Sequence, residues 1–92
     1  MDTMKKYRMP NNLTQITING ITIPLNQEAN MLILQYDDVS IGIYQQRVVD
    51  HPETGKIDGV AQNFGHNVRK IGIEYKENLM QFLRENEFVE II

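Results

Sequence analysis

Apolar and polar residues alternate through LTQITINGITIPL, residues 13–25. Alternation at period two marks a strand with one buried face. Asn19-Gly20 interrupts it near the middle, and this pair favours a two-residue type I′ turn, because both positions need positive φ. Such a loop pairs Ile18 with Ile21 and Ile16 with Ile23. Ile16, Ile18, Ile21, Ile23 and Leu25 then share one face, with Thr17 opposite Thr22 on the other. Pro24 lacks an amide hydrogen, so its strand should lie at an edge or end there.

The next apolar run, MLILQYDDVSIGIY over residues 31–44, predicts a second hairpin. With Asp37-Asp38 as its turn, Tyr36 faces Val39, Leu34 faces Ile41 and Leu32 faces Ile43. The reverse face carries Met31, Ile33 and Tyr44. A strand pair apolar on both faces calls for cover on each side, which predicts a homodimer in which a second subunit supplies the missing layer. Strands at 45–50 and 56–62 should follow, joined by a tip at 51–55 where Pro52 presets φ and Gly55 takes the left-handed position.

Val68, Ile71, Tyr75, Leu79 and Phe82 fit helical spacing, yet KIGIEYK also alternates, and Gly72 is a poor helix residue. A strand over 68–74 and a helix over 76–86 reconcile the two patterns. Leu79, Met80, Phe82 and Leu83 form the buried side of that helix, and Asn86 closes it in the left-handed conformation. FVEII supplies a final short strand or docking tail. Residues 1–12 show no periodicity and are expected as a flexible arm ahead of one compact domain over 13–92. The predicted fold is α+β: antiparallel hairpins in a curved sheet or small barrel, with one C-terminal helix packed on it.

Composition sharpens this picture. Twelve isoleucines against two alanines favour strands, and with nine asparagines they suit an AT-rich genome. Net charge is −3. The arm holds Lys5, Lys6 and Arg8 against Asp2, or +2, leaving −5 on residues 11–92. An acidic body argues against a nucleic-acid module, which needs a basic face to neutralise phosphates. Without cysteine there are no disulfides, thiolate nucleophiles or Cys-based zinc sites. No apolar run approaches the roughly 18 residues of a membrane span, and no signal-peptide pattern opens the chain. A soluble cytoplasmic protein is the expectation.

No motif for catalysis emerges. His51 and His66 are the only histidines, and a return strand between them would hold them up to roughly 30 Å apart, too far for an acid–base pair. Asp50, His51, Glu53, Asp58 and His66 lack the spacing that converges metal ligands, so neither metal nor cofactor is expected. TGK at 54–56 resembles the end of a phosphate-binding loop, but position 50 is Asp, not Gly, and Ile57 follows the lysine. Ser40, the only serine, has no nucleophile elbow around it.

Binding is the better expectation. Tyrosine and arginine are favoured at interfaces and nucleotide pockets, because rings stack and guanidinium forks grip oxyanions. Tyr44, Arg47, Phe64, His66 and Arg69 are the candidate binding residues, most of them grouped around one strand end. Tyr44 and Arg47 lie three apart and face opposite ways unless a bulge intervenes at Gln45-Gln46. The leading functional expectation is a small non-enzymatic protein that occupies a protein partner, like accessory or inhibitory proteins of phages and mobile elements. The alternatives are a homo-oligomer that sequesters a small ligand or nucleotide, and a small-barrel nucleic-acid module.

Overall fold

In the computed structural model, which describes residues 2–65 and 69–91, the strongest sequence signal gives the predicted hairpin. Strands β2 (Gln15–Ile18) and β3 (Ile21–Pro24) pair Ile18 with Ile21 and Ile16 with Ile23. Asn19 and Gly20 both have positive φ, 46° and 78°, as a type I′ turn requires. Ile16, Ile18, Ile23 and Leu25 are buried, while Thr17 and Thr22 are exposed. A Cβ at Gly20 would meet nothing within 4 Å, so substitution there tests backbone conformation alone. Gly20→Val should lower stability by about 1–2 kcal/mol, read from urea denaturation; an unchanged midpoint would rule out this turn.

The main sheet runs β6 (Ile57–Asn63), β5 (Ser40–Asp50), β4 (Met31–Tyr36), β1 (Thr3–Arg8), β8 (Val89–Ile91), and β7 (Arg69–Gly72) also pairs with β5. All pairings are antiparallel. β6 and β7 lie end to end along one edge of β5, whose other edge holds β4. The sheet stays open instead of closing into a barrel. A 3₁₀ turn at Ile73–Tyr75 leads into helix α1 (Lys76–Glu85).

The arm expected at the start is in fact a strand inside the sheet. β1 pairs with β4 on one side and β8 on the other. Of its side chains only Tyr7 is buried, so alternation is carried by charged residues with apolar stems and leaves no apolar pattern. Backbone pairing on both edges holds the strand where side-chain burial does not.

The second hairpin also departs from expectation. Tyr36 pairs with Ile41, Leu34 with Ile43 and Leu32 with Gln45. The cause is Asp37, whose Oδ1 accepts the amide hydrogens of Val39 at 2.8 Å and Ser40 at 2.9 Å. Those bonds lengthen the loop and hold the Asp37 carboxyl below its ordinary pKa, Ser40 contributing most and Val39 next. A two-residue slip preserves side-chain parity. Leu32, Leu34, Tyr36, Ile41 and Ile43 keep their common face, and only Val39 leaves it for solvent.

That face is the core. Leu32, Leu34, Ile41 and Ile43 pack with Ile16, Ile18, Ile23 and Leu25 of the hairpin and with Leu79, Met80 and Leu83 of α1. The helix ends differently from expectation: Asn86 keeps φ −109° and Glu87, at φ 64°, takes the left-handed position. The Phe88 amide then donates to the Leu83 carbonyl at 3.0 Å, closing a Schellman motif.

Two side-chain amides act as pieces of strand. Gln45 Oε1 accepts the Asn26 amide hydrogen at 3.1 Å and Gln45 Nε2 donates to the Asn26 carbonyl at 3.4 Å. Asn30 does the same for Val48, accepting its N–H at 2.8 Å and donating to its carbonyl at 3.0 Å. Asn30 therefore extends pairing along β5 beyond the start of β4, and Gln45 ties the segment after β3 to the sheet.

Candidate functional site

The structure separates the residues selected from sequence. Tyr44 sits on the sheet face opposite the core, packed against the buried cluster of Met31, Ile33 and Val48. Its ring lies across Gly42, where an added Cβ would meet Tyr44 Cε2 at 3.0 Å. The aromatic ring thus covers a glycine gap in the strand. Tyr44 also borders a recess of about 110 Å³ with Asp2, Gln35 and Lys70.

Arg47, Phe64 and Arg69 line the other edge of β5. Arg47 pairs with Gln62, the Phe64 amide donates to the Gln45 carbonyl at 3.1 Å, and Arg69 pairs with Ile43. Positions 47, 45 and 43 recur on one face at steps of about 7 Å. No bulge occurs at Gln45-Gln46; the register shifts come later, between Arg47 and Val48 and between Val49 and Asp50. Tyr44 and Arg47 consequently project to opposite faces. Phe64 is buried and both arginines are exposed. Each guanidinium holds a carbonyl of the layer above the core: Arg47 Nη1 reaches Glu28 O at 3.1 Å and Arg69 Nη2 reaches Thr22 O at 3.5 Å. His66 lies outside the described residues.

His51 is engaged in its own turn. Its Nδ1 accepts the amide hydrogens of Glu53 at 3.2 Å and Thr54 at 3.4 Å, and Gly55 has φ 71°. Among the described residues no group of three His, Cys, Asp or Glu side chains is placed to hold a metal ion. No helix of the described residues is long and apolar enough to cross a membrane.

The outer face of the sheet carries neither α1 nor the β2–β3 hairpin, both of which pack on the core face. Its cluster of Met31, Ile33 and Val48 is buried and, among the described residues, flanked by Tyr44, Ile57 and Ile91, all from the same sheet. Around it Met4, Val60 and Val89 are 56%, 54% and 63% exposed. The Arg8 guanidinium forks onto Asp50, at 3.0 Å from Nη1 to Oδ2 and 2.6 Å from Nη2 to Oδ1, and touches the Gly55 carbonyl at 3.4 Å. That clamp joins β1 to the tip of the β5–β6 hairpin.

A second feature lies beside α1. Lys5, Tyr7, Met80, Arg84, Phe88 and Glu90 line a cleft of about 220 Å³. The sequence pattern does not reveal it, because residues 1–12 carry no apolar period and read as an arm. The usable signal was the alternation of Lys5 and Tyr7 with Lys6 and Arg8, masked by charge.

Fold and site together define a small α+β protein in which, among the described residues, the helix and the hairpin pack on one face of an open sheet. No protein-family model, curated protein or solved structure matches the chain.

Proposed function

We propose that this protein works without catalysis, by binding another protein through the uncovered face of its sheet. The observation that supports this reading is the exposure of Met4, Val60 and Val89 around the Met31, Ile33 and Val48 cluster, with no second layer over them among the described residues. Apolar patches rimmed by polar groups are characteristic of protein interfaces. Lys6, which lies between Ile33 and Ile91 across the sheet, Gln35 and the Arg8–Asp50 pair are interspersed with these apolar side chains and offer directional contacts. An accessory or inhibitory role, in which occupying the partner is the whole activity, fits a chain of this size.

The test is native mass spectrometry of the chain purified from its own host, alongside a Met4→Glu/Val89→Glu variant. Both positions are exposed, so the variant should fold. The expected result is a stoichiometric complex with the parent chain that is absent with the variant. Where the occupant is a second copy, the particle is twice 10.7 kDa and the variant is monomeric. A parent chain that is monomeric and free of bound protein would overturn the proposal.

A further inference from the structure

The cleft beside α1 is chemically unlike the rest of the surface. Tyr7 and Glu90 pair across β1 and β8, so they project to one side. Lys5, two residues before Tyr7, shares that side. Met80 and Arg84 stand one helical turn apart on α1 and close the cleft from above. Tyr7 is only 6% exposed, yet its hydroxyl donates to Met80 Sδ at 3.3 Å and to no oxygen or nitrogen among the described residues. A thioether is a weak acceptor, so this buried donor is poorly used. Lys5 and Arg84 form no ion pair among the described residues, where Arg8–Asp50 is the pair observed. Two unpaired cations therefore face one carboxylate, and Met80 and Phe88 supply the apolar lining.

We infer that the cleft between β1, β8 and α1 binds a small organic carboxylate with a compact aromatic or branched apolar body. The carboxylate lies between the Lys5 ammonium and the Arg84 guanidinium and accepts the Tyr7 O–H in place of the sulfur. The apolar body covers Met80 and Phe88. Glu90 leaves a surplus of one positive charge, which suits a monoanion and disfavours a dianion. A volume of about 220 Å³ is smaller than the roughly 300–1,000 Å³ typical of drug-sized ligands, so the ligand is fragment-sized. Burial pushes the Tyr7 phenol above its ordinary pKa; Glu90 and Tyr36 add to the rise, and Arg84 opposes it. The hydroxyl thus stays a donor at neutral pH.

The probe is hydrocinnamate, titrated into the ¹⁵N-labelled full chain and followed by ¹H–¹⁵N NMR. Saturable shifts at the amides of Lys5, Tyr7 and Phe88 are expected, with a millimolar Kd as suits a small fragment. Hydrocinnamamide, with the same body and no charge, should shift them negligibly. Phenyl phosphate should bind more weakly than the carboxylate. Arg84→Gln should weaken hydrocinnamate about five-fold, Glu90→Gln should tighten it, and Arg47→Gln, on the far edge of the sheet, should leave it unchanged. Equal binding of the amide or of phenyl phosphate, shifts confined to other residues, or an Arg84→Gln Kd equal to the parent's would each overturn the assignment.

Discussion

Gln45→Met should lower the free energy of unfolding by about 2–4 kcal/mol, although methionine nearly matches glutamine in volume and is more apolar. Gln45 is 3% exposed and serves both backbone groups of Asn26. Its amide also donates to Met9 Sδ at 3.6 Å. Methionine keeps the packing and removes both bonds, which strands a half-buried N–H and C=O. Each stranded group costs about 1–3 kcal/mol, and favourable transfer of the methionine offsets only part of that. A chain of 92 residues is expected to hold a stability near the lower end of about 5–15 kcal/mol, so the loss should be plain in a urea midpoint at unchanged m-value. A shift below about 0.5 kcal/mol would show that water or a neighbour takes over the Asn26 groups. Leu32, which faces Gln45 across β4–β5, cannot do so, having no polar atom.

Gln45 also shows where the sequence stops being informative. The apolar patterns marked both hairpins, the tip after β5 and the helix, because burial imposes a period on every element with one wet face. A glutamine that replaces a stretch of backbone leaves no periodic trace, and neither does Asn30. The same reason hid β1: Lys5, Lys6 and Arg8 are polar by composition, yet their stems lie along a sheet held by main-chain bonds. Pairing Tyr36 with Val39 followed the expectation that the shortest turn wins. The Asp37 carboxylate instead organises a longer loop, and its acceptor role is visible in sequence only as a turn-prone residue. At the site, Tyr44 and Arg47 diverge, as their spacing of three requires where no bulge intervenes. Their contacts, one on Gly42 and one on the Glu28 carbonyl, depend on how two layers meet, which local sequence does not encode. The missed cleft has the same origin, since β1, β8 and α1 meet only after Phe88 turns back from the helix.

Ile16→Ala should cost about 2–5 kcal/mol, whereas Ile21→Ala, on the same hairpin face, should cost about 1 kcal/mol. Ile16 has no exposed surface, while Ile21 is half-buried against the core rim. The difference matters because β2 and β3 form a sheet of their own, with no strand pairing to the main one. A two-stranded hairpin is marginal in water by itself. It stays in place through its isoleucine face, the Gln45–Asn26 bonds and the two arginine contacts at Thr22 and Glu28. These anchors hold one body, so their losses should not simply add. Once Ile16→Ala has loosened the hairpin, the Asn26 groups reach water and Gln45→Met should cost less than it does alone. A double-mutant cycle in urea measures that coupling, expected at about 0.5–3 kcal/mol. Hydrogen exchange at Ile18 and Ile23, whose amides lie in the hydrogen-bonded pairs of the hairpin, supplies the second readout: Ile16→Ala should speed it more than exchange at Leu34. Additive losses with uniform exchange would mean that hairpin and sheet open only together, as one cooperative unit.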